Sequence, residues 1–495
     1  MRTSTRLASF VLPAALACAP FASAAIRYVD AGLATGANNG TSWADAYQGA
    51  GGLAAALTAS VSGDEIWVKA GTYKPTTGTS RTVFLTMKTG VGIYGGFAGA
   101  ETARDQRNWT TNVTTLTGDL LGNDSGTANL TDNSYHVLVG SGAAATAILD
   151  GFTVKGGNAN GATASNYDKG GGILIVNSGA PTIRNCNFVG NRCTFGGGAG
   201  YIFTAQATFT DCQFIDNVGG SYGGAFDTNN VTSTFRRCVF KGNSAARAGA
   251  FETFGGGNTT FENCLFAANR ATGTGGGAAI WVGSGSSIVR AYSCTFAGNI
   301  ATSTAGGVNT TSGGTLNAFN CVFWGNSGPT GQTAANQVNA GGGTNLVQYC
   351  TVQGGFTGTG NLSTDPLFVS VASGDYRLQP TSPAIDSGSN SLFPTGGMTI
   401  DLGGLPRYVD VAAVADTGVG SAPVIDRGAY ELPDAPPPPP ACAGDLNADN
   451  QVDGIDLGVL LSAWGTNGAG DLNGDGSVDG IDLGVMLSAW GACPS

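Results

Sequence analysis

The chain has 495 residues, of which 82 are Gly and only 11% are charged, with 22 basic against 33 acidic residues for a net charge of −11. An acidic chain gains nothing from a phosphate backbone, which argues against nucleic acid as a partner. Beyond the N-terminus no apolar run reaches the roughly 20 residues of a spanning helix, and the 42% of hydrophobic residues recur at fixed spacing, as in a repeat fold rather than a disordered chain.

Arg2 and Arg6 flank an apolar run from Leu7 to Ala17, and Ala22-Ser23-Ala24 follows. This pattern predicts a signal peptide over residues 1–24 and export, with Ala25 as the first mature residue. Loss of Arg2 and Arg6 makes the mature chain more acidic still. Acylation at Cys18 is disfavoured by Ala15, where a lipobox usually carries Leu.

Next come Tyr28-Val29-Asp30, Thr41-Ser42-Trp43, Gly63-Asp64-Glu65-Ile66-Trp67-Val68 and Gly71-Thr72-Tyr73. Between them Gly52 to Ser60 is predicted to form a helix that covers the open end of the fold, because an uncovered coil presents unpaired strand edges. Gly95-Gly96-Phe97, Glu101-Thr102 and Gly118-Asp119-Leu120 follow. The single histidine, His136, alternates with Val137, Leu138 and Val139 and reads as structural.

A repeat then dominates. Cys186, Cys212, Cys238, Cys264, Cys294 and Cys321 each open the phrase C-x-F-x-x-N, and Cys350 continues the column. The aromatic is Phe188, Phe214, Phe240, Phe266, Phe296 and Phe323; the amide is Asn191, Asn217, Asn243, Asn269, Asn299 and Asn326. A Gly-Gly-small column recurs at Gly171, Gly197, Gly223, Gly276 and Gly306, with Ala248-Gly249-Ala250 as its imperfect copy. C-x-F has the two-residue period of a strand, so Cys and Phe share one face. With no amphipathic helical stretch in the repeat, short strands joined by tight turns must stack coil on coil, three strands to a turn, with like residues in ladders. Asn at the turns is expected to adopt the left-handed conformation and to bond its neighbours' amides. In-register Cys side chains suit disulfide geometry poorly and pack as reduced small hydrophobes. Cys193 lies outside the ladder.

These repeats resemble bacterial right-handed parallel β-helix proteins of the pectate-lyase-like superfold, including those with polymorphic outer-membrane-protein-like repeats, over roughly residues 26 to 431. Asp365-Pro366-Leu367-Phe368, Asp375-Tyr376-Arg377-Leu378, Ser382-Pro383-Ala384-Ile385-Asp386 and Gly428-Ala429-Tyr430-Glu431 are similar to the closing segment of surface β-helix proteins with interchangeable anchors. The expected layout is a β-helix over 25–431, with an N-terminal cap at about 25–75, clear coils at 170–355 and a closing segment at 360–431. A linker at 432–441 and a small α-helical domain at 442–495 complete it.

Pro436 to Pro440 form a stiff spacer. Beyond it, two copies of one loop offer oxygen ligands at positions 1, 3, 5, 7, 9 and 12. In the first these are Asp445, Asn447, Asp449, Gln451 (through its carbonyl), Asp453 and Asp456; in the second, Asp471, Asn473, Asp475, Ser477 (again the carbonyl), Asp479 and Asp482. Hard oxygen ligands at this spacing suit Ca²⁺, so two ions are expected. Leu457, Leu460, Leu461 and Trp464, and then Leu483, Met486, Leu487 and Trp490, follow at the spacing of one helix face, and the two stripes are expected to pack together. The module resembles a type I dockerin of the variety ending Trp490-Gly491-Ala492-Cys493. The resemblance implies a cohesin-like or other envelope docking partner, chosen through Gly454, Ile455, Gly480 and Ile481. Their identity in both copies implies two equivalent faces, while the absence of a hydroxyl pair argues against a cellulosomal cohesin. Cys442 and Cys493 bracket the module, and a disulfide there would stabilise it by roughly 3–4 kcal/mol in the chain-entropy picture.

Catalytic chemistry is sparse. Asp211, Asp216, Asp227, Glu252 and Glu262 are the acids of the central coils. Asp211 and Arg237, one period apart, and Arg236 and Glu262, again one period apart, are read as ion pairs at the surface. No catalytic set is assigned, and Asp211 and Arg237 are the candidates if the coils are catalytic. Two readings of function follow. The first is a non-catalytic protein that binds glycans or partners and is docked by its C-terminal module. The second is a polysaccharide lyase or O-glycosyl hydrolase delivered by that module.

Overall fold

The computed structural model describes residues 24–433, except Ser284 and Ser312, and residues 444–492, except Ala448, Asn450, 467–469 and 473–476. Residues 1–23 of the predicted signal peptide, the proline run, Cys442 and Cys493 lie outside the described residues. The chain divides into two compact units. The first runs to Thr234 and takes in Val239–Asn258 and Ala271–Gly273; the second holds Phe235–Cys238, Thr259–Arg270 and everything from Thr274 onward.

The first unit is a parallel β-helix. One sheet orders Tyr47–Gln48, Ile26–Asp30, Glu65–Lys69, Gly92–Phe97, Ile148–Asp150, Thr182–Arg184 and Gln206–Thr210. A second orders Gly71–Tyr73, Thr114–Thr117, Thr153–Lys155, Asn187–Val189, Gln213–Ile215 and Val239–Lys241, and a third contains Ile173–Ile175, Gly200–Phe203, Phe226–Asn229 and Phe251–Phe254. Three strands per turn were expected. The structure adds a fourth, two residues long, such as Arg192–Cys193 and Val218–Gly219. It is too short to show a period in sequence.

The ladders are present in register. Phe188 faces Phe214, which faces Phe240, with ring centroids 5.4 and 4.9 Å apart. Ladder cysteines are buried and form no disulfide among the described residues, and burial pushes the Cys186 thiol up to about 12. Cys193 is also buried, on its two-residue strand, with its thiol raised to about 12 by burial.

The ladder asparagines bond their neighbours' amides as expected, but they do not hold the left-handed position. The left-handed residue is the one before each Asn (Gly190, Asp216, Gly242), and another left-handed column precedes each Cys (Asn185, Asp211, Arg237, Asn263). The Asn side chains are instead fully buried. Asn217 Oδ1 accepts from the Asn191 backbone N–H at 3.0 Å, and its Nδ2 donates to Phe188 O at 2.8 Å. The amide thus satisfies the corner N–H of Asn191 and adds a donor to a carbonyl of the neighbouring coil. Gly223 is required at its corner: with φ +44, a Cβ there would lie 1.9 Å from Phe226 O.

The predicted capping helix is present at Gly52–Ala59, with Leu53, Ala56 and Leu57 buried. The aromatic phrases near the N-terminus converge: Trp67, Tyr94 and Phe97 form one cluster with Tyr28 and Trp43.

The second unit is also built of parallel coils, with strands such as Leu265–Ala267, Thr295–Ala297 and Val322–Trp324, and Phe296 and Phe323 stack at 4.6 Å. Cys264, Cys294 and Cys321 each donate a backbone N–H to the next Sγ at 3.2–3.4 Å. The closing segment lies along these coils. Asn263 Nδ2 donates to Ile400 O, Ser389 N to Asn320 Oδ1, and Arg427 Nη1 to Cys350 O. Arg407 and Glu431, both fully buried, pair at 2.9 Å.

The C-terminal helices are Gly454–Ser462 and Gly480–Ser488. Val452, Leu460, Val478 and Met486 form their core, with Leu446, Leu457, Leu472 and Leu483 against it. No helix among the described residues is long and apolar enough to cross a membrane.

Candidate functional site

In the first C-terminal loop, carboxylate oxygens of Asp445, Asp449 and Asp456 lie within 4.8 Å of one another. Asp453 caps the following helix, accepting from Ile455 N at 2.7 Å, and Asp456 completes a capping box by accepting from Asp453 N at 2.9 Å. Burial raises the Asp456 carboxyl, but N–H donors from Asp453, Leu446 and Asn447 outweigh it and hold the group below its ordinary range. Asn447 Nδ2 donates to Asp449 Oδ2, and the exposed Gln451 sends its N–H to Asp449 Oδ1. A loop that gathers three carboxylates and leaves a carbonyl at position 7 has the donor set of a calcium loop. The second loop repeats the caps: Asp479 accepts from Ile481 N at 2.7 Å, and Asp482 from Asp479 N and Leu472 N. Asp471 and Ser477 flank residues outside the described part, which include Asn473 and Asp475.

The helix stripes divide where packing together was expected. Leu460 and Met486 are buried, whereas Leu461 and Leu487 are 52% and 53% exposed and Trp464 and Trp490 are 47% and 48% exposed. Two short helices offer too little surface to cover four large side chains each. Ile455 and Ile481 are each 60% exposed, and a Cβ on Gly454 or Gly480 would touch nothing among the described residues.

In the β-helix, Asp211 and Arg237 hold the same left-handed corner position ahead of their cysteines. Arg237 donates its backbone N–H to Glu262 O at 2.9 Å. Arg236 pairs with Glu262 at 3.1 Å, as the spacing suggested. His136 is buried, its Nδ1 2.9 Å from Gly170 O, and burial lowers it to about 4, so it is neutral at pH 7.

Sequence spacing missed one acid pair. Asp227 and Glu252 stand opposite each other on neighbouring strands of the third sheet, and both are fully buried. Phe226 and Phe251 beside them point into the core, so the acids lie on the outer face, beneath the turns. A Cβ on Gly196 would meet Asp227 Oδ2 at 2.1 Å. Arg247 forks onto Glu252 and sits over the Tyr222 ring at 4.3 Å. Both Asp227 oxygens lack a hydrogen-bond partner among the described residues. Burial and then the Glu252 charge push Asp227 well above the carboxylate range, and burial raises Glu252 to about 7 against the pull of Arg247. The signal was in the Gly column: Asp227 follows Gly223-Gly224-Ala225-Phe226 as Glu252 follows Ala248-Gly249-Ala250-Phe251. Counting from cysteines puts the two acids out of phase by one residue.

The profile of the family described as "Right handed beta helix region" matches residues 120–296 and 171–354. The fold is therefore that of a right-handed parallel β-helix. Among solved structures, the crystal structure of pectate lyase Pel9A is similar, with 15% sequence identity, 83% of this chain and 97% of that chain covered, and a TM-score of 0.43. No curated protein matches the chain.

Proposed function

We propose that this is an exported β-helix protein that acts without catalysis, binding glycans or protein partners through its coils. Residues 442–495 form a dockerin-like module that holds two Ca²⁺ ions and docks onto a cohesin-like or other envelope protein. The observation that carries this reading is the convergence of Asp445, Asp449 and Asp456 at the head of a helix whose first residues, Gly454 and Ile455, stand exposed. A cation there would lock the loop to the helix and so fix the direction in which Ile455 is presented.

The enzymatic alternative, a polysaccharide lyase or O-glycosyl hydrolase, has the raised pKa values of Asp227 and Glu252 on its side. Both side chains are fully covered, however, and a glycosidase needs its two carboxylates open to the sugar. Immobilised full chain should capture an envelope protein in Ca²⁺ and release it to a chelator, with no cleavage of acidic polysaccharides. Capture indifferent to chelator would overturn the docking reading. Robust cleavage abolished by Arg237→Ala would overturn the non-catalytic one.

A further inference from the structure

A second group of acids lies in the closing segment. Carboxylate oxygens of Asp386, Asp410 and Asp416 all fall within 4.8 Å of one another. Two ligands of one Ca²⁺, each at about 2.3–2.6 Å, can be no more than about 5 Å apart, so the spacing suits a shared ion. Asp410 and Asp416 are exposed, while Asp386 is fully buried.

Asp386 is anchored by its backbone. Its N–H donates to Asp426 Oδ1 at 2.7 Å, and its carbonyl accepts from Thr417 N and Gly418 N. Its carboxylate is less well satisfied: Oδ2 accepts one long bond from Val411 N at 3.3 Å, and Oδ1 is buried with no hydrogen-bond partner among the described residues. A buried carboxylate oxygen left unpaired is costly unless something neutralises it. Burial, and then the charges of Asp416 and Asp410, push its carboxyl up to about 6. The residues brought over Asp386 thus add negative charge where a structural role would call for a donor. The turn closed by Val414 N to Val411 O brings Asp410 and Asp416 to the same place from either end of the loop.

We propose that Asp386, Asp410 and Asp416 bind a Ca²⁺ ion that pins the 410–416 loop to the buried Ser382–Ser389 turn, the remaining coordination being completed by water from the exposed side. This site is separate from the C-terminal loops, and its ion is structural.

Equilibrium dialysis of the full chain against Ca²⁺ tests the assignment by counting ions per chain. The Asp410→Ala/Asp416→Ala variant changes exposed side chains only, so the fold should persist. It should bind one ion fewer than the unsubstituted chain, and an unchanged count would overturn the site. In an Asp445→Ala/Asp471→Ala background the closing-segment ion should remain, and Ca²⁺ should still raise the melting temperature. The same titration on that background with Asp410→Ala/Asp416→Ala added should show no Ca²⁺-dependent rise, and a persisting rise would contradict the proposal. A failure of the C-terminal loops to bind would appear as no ion lost in Asp445→Ala/Asp471→Ala, a result independent of this site.

Discussion

Asp227 and Glu252 occupy adjacent rungs of one sheet, and the Arg247 fork reaches Glu252 while both Asp227 oxygens find no hydrogen bond among the described residues. A carboxyl whose pKa rises on folding takes up protons as the chain folds, so its folded form is favoured at low pH. The penalty is absent below the unfolded values near about 4 and grows as pH climbs. For Glu252 it is complete once pH passes about 7. Asp227→Asn removes one of the two acids, so its melting temperature relative to the unsubstituted chain should be more favourable at pH 8 than at pH 5. Parallel pH profiles for the two proteins would contradict this account of the pair.

The buried amide ladder should be expensive to interrupt. Asn217→Ala removes the acceptor of Asn191 N–H and a side-chain donor to Phe188 C=O inside the coil. A buried N–H left without its acceptor costs about 1–3 kcal/mol. Chemical denaturation should show that loss, and Asn217→Asp should fare no better, because it restores only the acceptor and brings a charge.

Arg407 and Glu431 form an ion pair with no exposure on either side. Arg407→Met strands the Glu431 carboxylate and should cost about 3–5 kcal/mol, whereas Arg407→Met/Glu431→Leu should recover most of that. Thermal unfolding of the single and double variants separates the pair's own contribution from the penalty of a lone buried charge.

The two docking faces should substitute for each other. Ile455 and Ile481 match in exposure and in their capping partners. Ile455→Asp or Ile481→Asp alone should leave docking intact. The double variant should lose at least about 2 kcal/mol of affinity, the size expected for a central apolar anchor, with Ca²⁺ binding unchanged.

Much of this architecture can be read from spacing, because a ladder forces like residues to recur at the length of a coil. The Cys, Phe and Asn columns gave the inward face, and the Gly52–Ala59 cap was visible as an apolar stretch between strand phrases. The two-residue strands were hidden, since two residues carry no period. The left-handed corners were misassigned to Asn because varied residues such as Asp211, Arg237 and Ala268 hold them. The Asp227–Glu252 pair was lost because one coil is a residue short ahead of Ala248, which shifts the Gly column against the Cys column. The exposure of Trp464 and Trp490 was not legible either: a stripe at helical spacing says which residues share a face, and leaves open how much of that face the partner helix covers.

Calorimetric titration of the full chain with Ca²⁺ addresses the docking module most directly. Two binding events should vanish together in Asp445→Ala/Asp471→Ala, and docking with them. A variant that binds as many ions as the unsubstituted chain would contradict the account.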